Sequence, residues 1–252
     1  MGGHAVGTLV ILRHGESTWN QQNLFTGWHD VPLSDKGRTD AAAAGRTMAA
    51  EGLSFDMAHT SVLERAVVTC HLALEAMGQV WLPLQRSWRL NERHYGALQG
   101  LDKKATAERH GQQQTNIWRR SFDVPPPPVD TTSSEHPVND PRYRLLAPDA
   151  LPASECLKDV VARVLPYWYD QIVPQLRAGL DVLVTAHGNS LRALLMHLEG
   201  VSESEIPEIN IPTGVPRRYR FADDLSVTEA GYLGDAAAID AAAAAVARQA
   251  GG

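Results

Sequence analysis

The sequence predicts an α/β fold, in which short buried strands alternate with helices. Two apolar runs, residues 8–12 and 181–186, each lead into a polar His-Gly step and then into a helical stretch. The 252 residues are enough for one α/β domain with a sizeable core. Hydrophobic residues make up 44% and charged residues 21% of the chain, which is typical of a globular protein and argues against overall disorder.

The remaining elements follow from composition and capping signals. Ser61 is a candidate N-cap with Glu64 as its capping-box partner, and Ser154 is a candidate N-cap for a later helix that Pro166 should disturb. The predicted strands are 8–12, 80–84 (a weak signal), 181–186 and 217–221, and the predicted helices are 39–50, 61–76, 106–120, 154–172 and 190–198.

Two segments depart from this alternation. Residues 123–152 are rich in Pro, Ser, Thr and Asp, so they predict an irregular surface excursion that belongs to the domain and is not a linker. Long loops of this kind are often lids over functional sites. Residues 235–252 are mostly Ala and Gly and predict a flexible tail, as a helical flap or as disordered chain. The whole chain, 1–252, is therefore read as a single domain.

Charge and cysteine content narrow the class of protein. With 23 Lys and Arg against 29 Asp and Glu, the net charge of −6 argues against nucleic acid or an anionic membrane as the main partner. Cys70 and Cys156 form no CxxC pair, which favours two reduced thiols. The N-terminus has no leader pattern and no apolar run is long enough to span a membrane, so we expect a cytoplasmic protein.

The most informative feature is a repeated arrangement at the ends of two predicted strands. Arg13-His14-Gly15-Glu16-Ser17 follows the first strand, and His187-Gly188-Asn189-Ser190 follows the later one. Ligands of open α/β sheets bind beyond the carboxyl ends of the strands. If these two strands are neighbours, both imidazoles face one site. The glycine after each histidine would allow a ligand to approach the backbone closely, and the following helix would offer free N–H groups to an anion.

This set of residues suits phosphoryl transfer. A neutral imidazole is a competent nucleophile at pH 7, and transfer through it requires cations around the phosphoryl oxygens. Arginine is preferred because its planar group binds phosphate with two hydrogen bonds. No zinc-ligand spacing and no Walker-type loop is present, so we expect no metal. A lone His-Gly step is usually only a loop, and Ser17 could simply cap a helix.

Longer motifs resemble a known family. Arg13-His14-Gly15 resembles the signature of the histidine phosphatase superfamily, and the wider pattern resembles its phosphoglycerate mutases that are primed by 2,3-bisphosphoglycerate. The resemblance extends from about Leu9 to Phe221 and includes RHGESTWN, NLFTGWHDVPLSDKG, LNERHYGALQGLDK, WRRSFDVPPPP and AHGNSLRAL. It implies a mixed, mostly parallel sheet with helices on both faces, and it implies interconversion of 3-phosphoglycerate and 2-phosphoglycerate in glycolysis and gluconeogenesis.

The resemblance also implies roles for individual residues. His14 would be the phosphorylated nucleophile, His187 the group that stabilises the transition state, and Glu92 the general acid and base. The transferred phosphoryl group would be held by Arg13, Asn20, Arg65, Gly188 and Asn189. The carboxylate and the other phosphate would be bound by Ser17, Thr26, Gly27, Arg93, Tyr95, Lys103, Arg119 and Arg120.

Several alternatives stay open at this point. Without the resemblance, a surface ion pair between Glu92 and Arg93 and a solvated helix face at Arg119 and Arg120 are better readings. A phosphatase of the same superfamily is the nearest alternative function, and a non-catalytic scaffold is a third. For partners, we expect the two phosphoglycerates, no nucleic acid and no membrane, and the resemblance implies a homodimer or homotetramer. The expected cofactor is 2,3-bisphosphoglycerate, without a metal.

Overall fold

The computed structural model describes residues 5–251, with side chains as far as Val246. Met1–His4 and Gly252 lie outside the described residues. Both ends of the predicted domain, 1–252, therefore lie outside them, and so does the start of the N-terminal segment that was expected to lack a leader pattern. No helix in the described range is both long enough and apolar enough to cross a membrane.

Six strands form one sheet. They are β1 (Leu9–Arg13), β2 (Met57–Thr60), β3 (Leu84–Arg86), β4 (Val182–Ala186), β5 (Pro216–Phe221) and β6 (Val227–Tyr232). Their order across the sheet is β3-β2-β4-β1-β5-β6; β1 to β4 pair in parallel, and β5 pairs antiparallel with both β1 and β6. The predicted mixed, mostly parallel sheet is therefore confirmed.

The α-helices of the described chain vary from one turn to more than four. They are α1 (Thr18–Gln21), α2 (Asp35–Ala50), α3 (Glu64–Ala76), α4 (Lys103–His110), α5 (Gln112–Arg120), α6 (Leu157–Tyr167), α7 (Val173–Arg177), α8 (Gly188–Glu199) and α9 (Ala236–Gly251). A single π-helical turn, Trp168–Ile172, joins α6 to α7.

Helices cover both faces of the sheet because successive strand residues point to opposite sides. On β1, Leu9 and Ile11 pack into a core cluster that includes residues of α6 and α8. Val10 and Leu12 face the other way, into a cluster with α2 and α3. Strands β1 and β4 are fully buried on both faces, which explains why each reads as a continuous apolar run.

The start of α3 differs from the prediction. The helix begins at Glu64 with Leu63 as an N-cap that makes no side-chain hydrogen bond, and the Glu64 N–H donates to Asp30 Oδ1 at 2.7 Å. The predicted cap, Ser61, bonds to His187 Nε2 instead. The predicted strand 80–84 was also wrong in position, because β3 begins only at Leu84 and Trp81 is exposed.

Two predicted helices are interrupted by residues that cannot continue them. Gly111, with a φ of 86°, separates α4 from α5 within the predicted helix 106–120. The predicted helix 154–172 begins only at Leu157, since the Ser154 hydroxyl donates to Pro126 O. Pro166 lies inside α6, which changes into the π-helical turn two residues later, so the helix is disturbed near the proline as predicted.

The excursion at 123–152 contains no strand and no α-helix, only three short 3₁₀ turns (Pro137–Asn139, Pro141–Tyr143 and Pro148–Ala150). It packs against the domain through Tyr143, which is buried and accepts a hydrogen bond from Asn91. Glu135 pairs with His29 at 2.9 Å. Of the two forms predicted for the tail, the helical one is observed in α9.

Candidate active site

The two histidines of the repeated motif lie side by side. β1 and β4 are parallel neighbours in which Arg13 is opposite Ala186, so the residues after each strand meet at one edge of the sheet. The rings of His14 and His187 are 5.0 Å apart between centroids and inclined by 60°. This arrangement confirms that the two His-Gly steps meet at the carboxyl ends of neighbouring strands.

The hydrogen bond of His14 defines which nitrogen can react. Nδ1 lies 2.7 Å from Gly15 O, and because a carbonyl oxygen only accepts, Nδ1 carries the proton. Nε2 therefore holds the lone pair. Complete burial, together with the charges of Arg65 and Arg13, lowers the pKa of His14 well below its ordinary value. The ring is thus neutral and nucleophilic at pH 7.

His187 is completely buried behind His14. Its Nε2 shares a 2.7 Å hydrogen bond with Ser61 Oγ, which fixes the plane of the ring. Burial and the neighbouring Arg65 lower the pKa of His187 well below its ordinary value. The protonated form of His187, which would stabilise the charge of a phosphoryl group, is therefore disfavoured in the free enzyme. The negative charge of an incoming phosphoryl dianion offsets the positive charge of the same cations and therefore favours the protonated form of His187.

Glu92 presents its two oxygens to different surroundings. Oε1 accepts hydrogen bonds from the backbone N–H of Arg93 at 2.7 Å and from Asn189 at 3.1 Å (backbone N–H) and 2.9 Å (Nδ2). Oε2 lies 3.6 Å from the point that a Cβ on Gly188 would occupy. The side chain is only 8% exposed and its carboxylate makes no ion pair with Arg93, so the alternative of a surface ion pair is wrong.

Two arginines flank the nucleophile. Arg13 donates to Ile211 O at 2.7 Å, and its Nε is buried without a partner among the described residues. Arg65 donates to Gly27 O at 2.7 Å and to His29 O at 3.1 Å. Burial lowers the pKa of Arg65 to about 10, so it stays charged at neutral pH. Neither guanidinium forms an ion pair within the described chain, which leaves both charges available to an anion.

A second group of cations lines the same pocket. Lys103 begins α4, and Arg119 and Arg120 end α5. Arg120 is held by Pro207 O and by Asn210 Oδ1, the latter at 3.0 Å. Burial and the charges of Arg119 and Arg13 lower the pKa of Lys103 to about 7. Arg119 and Arg120 therefore line the pocket and do not form a solvated helix face.

Most of the predicted site residues line this pocket. Ser17, Arg93 and His187 lie behind its wall. Ser17 caps α1 and bonds to Asn20 Oδ1 at 2.9 Å, whereas Arg93 donates to Arg119 O and lies over the Tyr95 ring at 4.6 Å. The predicted residues in the lining are Arg13, His14, Asn20, Thr26, Gly27, Arg65, Glu92, Tyr95, Lys103, Arg119, Arg120, Gly188 and Asn189.

Sequence reasoning missed several lining residues, chiefly Arg192, the apolar Leu24 and Phe25, and the segment 209–211. Arg192 had an available signal, because it lies three residues after Asn189, which directly precedes the predicted helix 190–198, and this spacing places both side chains on one helix face. The segment 209–211 had no such signal. It is irregular, and no local sequence pattern indicates that its carbonyl groups will face arginines from distant elements.

Gly15, the glycine of the first motif, is required for a reason that the sequence did not predict. A Cβ on Gly15 would come within 2.2 Å of Gly37 O, so Gly15 allows the start of α2 to approach the backbone, not a ligand. Gly188, in contrast, faces Arg13 and Glu92 at ordinary contact distances of 3.5 and 3.6 Å from its missing Cβ.

Solved structures of known proteins share this fold. A mycobacterial glucosyl-3-phosphoglycerate phosphatase is 23% identical, with 90% of this chain and 97% of that chain covered and a TM-score of 0.68. The alpha-ribazole phosphatase of Shigella flexneri is 19% identical over 88% and 94%, with a TM-score of 0.64. YhfR of Bacillus stearothermophilus is 22% identical over 88% and 94%, also with a TM-score of 0.64. At these identities the likeness concerns the fold alone.

A sequence profile identifies the family directly. The profile of the histidine phosphatase superfamily, branch 1, matches residues 9–227, which include both His-Gly motifs, strands β1 to β5 and the first residue of β6. The match covers far more than half of the chain and coincides with the site described above. The chain belongs to branch 1 of the histidine phosphatase superfamily.

Proposed function

We propose that this protein is a phosphoglycerate mutase, which interconverts 3-phosphoglycerate and 2-phosphoglycerate through a phosphohistidine at His14. The observation that carries the proposal is the charge of the pocket. Its described lining holds six cations (Arg13, Arg65, Lys103, Arg119, Arg120 and Arg192) and one carboxylate, Glu92. A single phosphate group would be satisfied by the two arginines beside His14. A substrate with both a carboxylate and a phosphate accounts for Lys103, Arg119 and Arg120 as well.

In the proposed reaction, His14 Nε2 forms a bond to phosphorus while the bond from phosphorus to the ester oxygen breaks. Arg13 and Arg65 offset the charge on the phosphoryl oxygens, with His187 on the opposite side. Glu92 Oε2 gives a proton to the departing oxygen and later removes one from the hydroxyl that attacks the phosphohistidine. Lys103, Arg119 and Arg120 retain the bound molecule between the two transfers.

The enzyme must be primed before this cycle can begin. The residues fit 2,3-bisphosphoglycerate as the donor, since the unpartnered Arg13 Nε is buried at the pocket and the α4–α5 cations lie in the same lining. That molecule supplies the phosphoryl group that His14 carries at rest. No metal is required, because the side chains provide the positive charge. The cytoplasmic setting, a role in glycolysis and gluconeogenesis, and a homodimer or homotetramer belong to the same proposal.

Hydrolysis is the second candidate. Two of the solved structures with this fold are named as phosphatases, and those names match the phosphatase alternative better than the mutase. A phosphatase would pass the phosphoryl group from His14 to water. The distinction depends on whether the pocket retains the molecule long enough for the second transfer.

A coupled assay tests the choice. With 3-phosphoglycerate, enolase and EDTA-treated protein, we expect isomerisation that resists EDTA and increases with a trace of 2,3-bisphosphoglycerate. The Mg²⁺ that enolase needs is added only after the mutase step is quenched. Steady release of inorganic phosphate without 2-phosphoglycerate would overturn the mutase and support the phosphatase.

Substrate affinity should weaken as the pH rises above 7. The pKa of Lys103 in the free enzyme is about 7, so its ammonium form is lost above that pH, whereas bound anions favour that form. Binding therefore takes up a proton, and affinity for 3-phosphoglycerate should fall up to about tenfold per pH unit between 7 and 9. The phosphate, with a second pKa of about 6, stays ionised over this range.

Isothermal titration calorimetry in buffers of different ionisation enthalpy measures both the affinity and the proton uptake. The Lys103→Arg variant keeps its charge at every pH tested, so its affinity should be nearly independent of pH from 7 to 9. An equally steep pH dependence in this variant would show that another group takes up the proton.

A further inference from the structure

Arg192 is a buried cation of the pocket wall that the proposed reaction does not yet use. It lies on α8, one turn after Asn189, and only 7% of it is exposed. One guanidinium nitrogen donates to Asn189 Oδ1 at 3.2 Å and another to Ile206 O. Within the described chain it pairs with no carboxylate, and its Nε has no hydrogen-bond partner. Burying a charged arginine without a counterion destabilises the fold, so its presence here indicates a function.

The contact with Arg192 determines how the amide of Asn189 is oriented. A guanidinium only donates hydrogen bonds, so the amide must turn its oxygen toward Arg192 and its nitrogen toward Glu92. Nδ2 donates to Glu92 Oε1 at 2.9 Å in this orientation. The reversed amide would place its oxygen against the carboxylate, where two acceptors repel each other.

The orientation of Asn189 in turn decides which oxygen of Glu92 is available. Oε1 already accepts three hydrogen bonds, two of them from Asn189, while Oε2 faces Gly188. We infer that Arg192 is a positioning residue, which fixes the Asn189 amide and thereby directs Glu92 Oε2 toward the oxygen that exchanges a proton. The inference rests on the acid–base role of Glu92 in the proposed function.

A double-mutant cycle tests whether Arg192 acts through Asn189. The measured step is phosphorylation of His14 by ³²P-labelled 2,3-bisphosphoglycerate, followed by rapid quenching. We expect Arg192→Gln and Asn189→Ala each to slow this step about tenfold, and the double variant to be slowed about tenfold as well, because both changes remove one interaction. A loss of about a hundredfold in the double variant would overturn the inference.

A leaving-group comparison separates positioning from phosphate binding or misfolding. The phenolate that leaves from 2,4-dinitrophenyl phosphate needs no proton, so Arg192→Gln should slow phosphorylation of His14 by this ester less than about threefold. Equal losses on both donors, or a higher KM with an unchanged maximal rate, would assign Arg192 to anion binding and contradict the inference.

The Lys variant keeps the test usable if Arg192→Gln does not fold. Arg192→Lys retains one donor for Asn189 Oδ1, and we expect it to keep most of the rate with the bisphosphate. A rate as low as that of Asn189→Ala, at an unchanged melting temperature, would count against the inference. Failure of the mutase proposal would be visible separately, because a phosphatase also begins with transfer to His14 and gives the same cycle without any isomerisation.

Discussion

Replacement of His14 by Ala should abolish phosphoryl transfer. The hydrogen bond to Gly15 O and the lowered pKa leave the lone pair of His14 Nε2 available beside Arg13 and Arg65, and His14, unlike His187, lines the pocket. Without it no covalent intermediate can form, and we expect turnover to fall by at least about 10⁴-fold. The measurement is incorporation of ³²P from labelled 2,3-bisphosphoglycerate into the protein, as a label that is stable to base and labile to acid.

A matched control excludes a general effect of losing an imidazole. His71 is exposed on α3, away from the pocket lining, so His71→Ala should keep full labelling and turnover. The melting temperature of both variants shows whether the fold is intact. Base-stable label that persists in the His14→Ala protein would place the phosphoryl group on another residue and would refute the assignment.

Local sequence signals predicted the parts of the site that lie on regular elements. The strands that precede His14 and His187 are buried on both faces, so their apolar runs are unambiguous, and the repeated His-Gly step correctly predicted that both rings lie at one sheet edge. The motif that contains Glu92 was assigned a role only through the family resemblance. By residue type alone, a Glu-Arg pair reads as a surface ion pair, and the burial of Glu92 depends on contacts from α8.

The missed features depend on contacts between distant parts of the chain. Ser61 has every local property of an N-cap, yet its hydroxyl bonds to His187, 126 positions later in the sequence. Strand β6 went unpredicted because it is an edge strand without a single buried residue and therefore lacks an apolar alternation. The carbonyl oxygens of Ile206 and Ile211 accept hydrogen bonds from Arg192 and Arg13, respectively, and no local sequence pattern predicts these contacts.

Sequence analysis also missed Arg163, which supports the loop that carries Glu92. Only 6% of its side chain is exposed, and it forms a buried ion pair with Glu155 at 2.6 Å. Its guanidinium also donates to the carbonyl oxygens of Arg89, Asn91 and Glu92 at 2.7, 3.0 and 2.8 Å. The ion pair therefore links α6 to the main chain at Glu92, so its loss should affect both stability and the geometry of the site.

Replacement of Glu155 by Gln should lower the free energy of unfolding by about 3 kcal/mol, because it leaves the buried charge of Arg163 without a counterion. Urea unfolding measures the change. Lys36→Gln, which breaks an exposed ion pair with Asp40 on α2, is the control and should change it by less than about 0.5 kcal/mol. A loss below about 1 kcal/mol in Glu155→Gln would show that the pair contributes no more than a surface one.

The double variant Arg163→Met with Glu155→Leu distinguishes the two functions of the arginine. If Arg163 only neutralised Glu155, replacing both by apolar side chains would restore stability, as it does for some buried ion pairs. Here the change also removes the donor to the carbonyl groups of Arg89 and Asn91, whereas Glu92 O keeps its hydrogen bond from Trp28 Nε1, and each unsatisfied group costs about 1 kcal/mol or more. We therefore expect the double variant to remain destabilised and to turn over more slowly, because the main chain at Glu92 has lost its support. Full recovery of stability and turnover would show that the carbonyl contacts are dispensable.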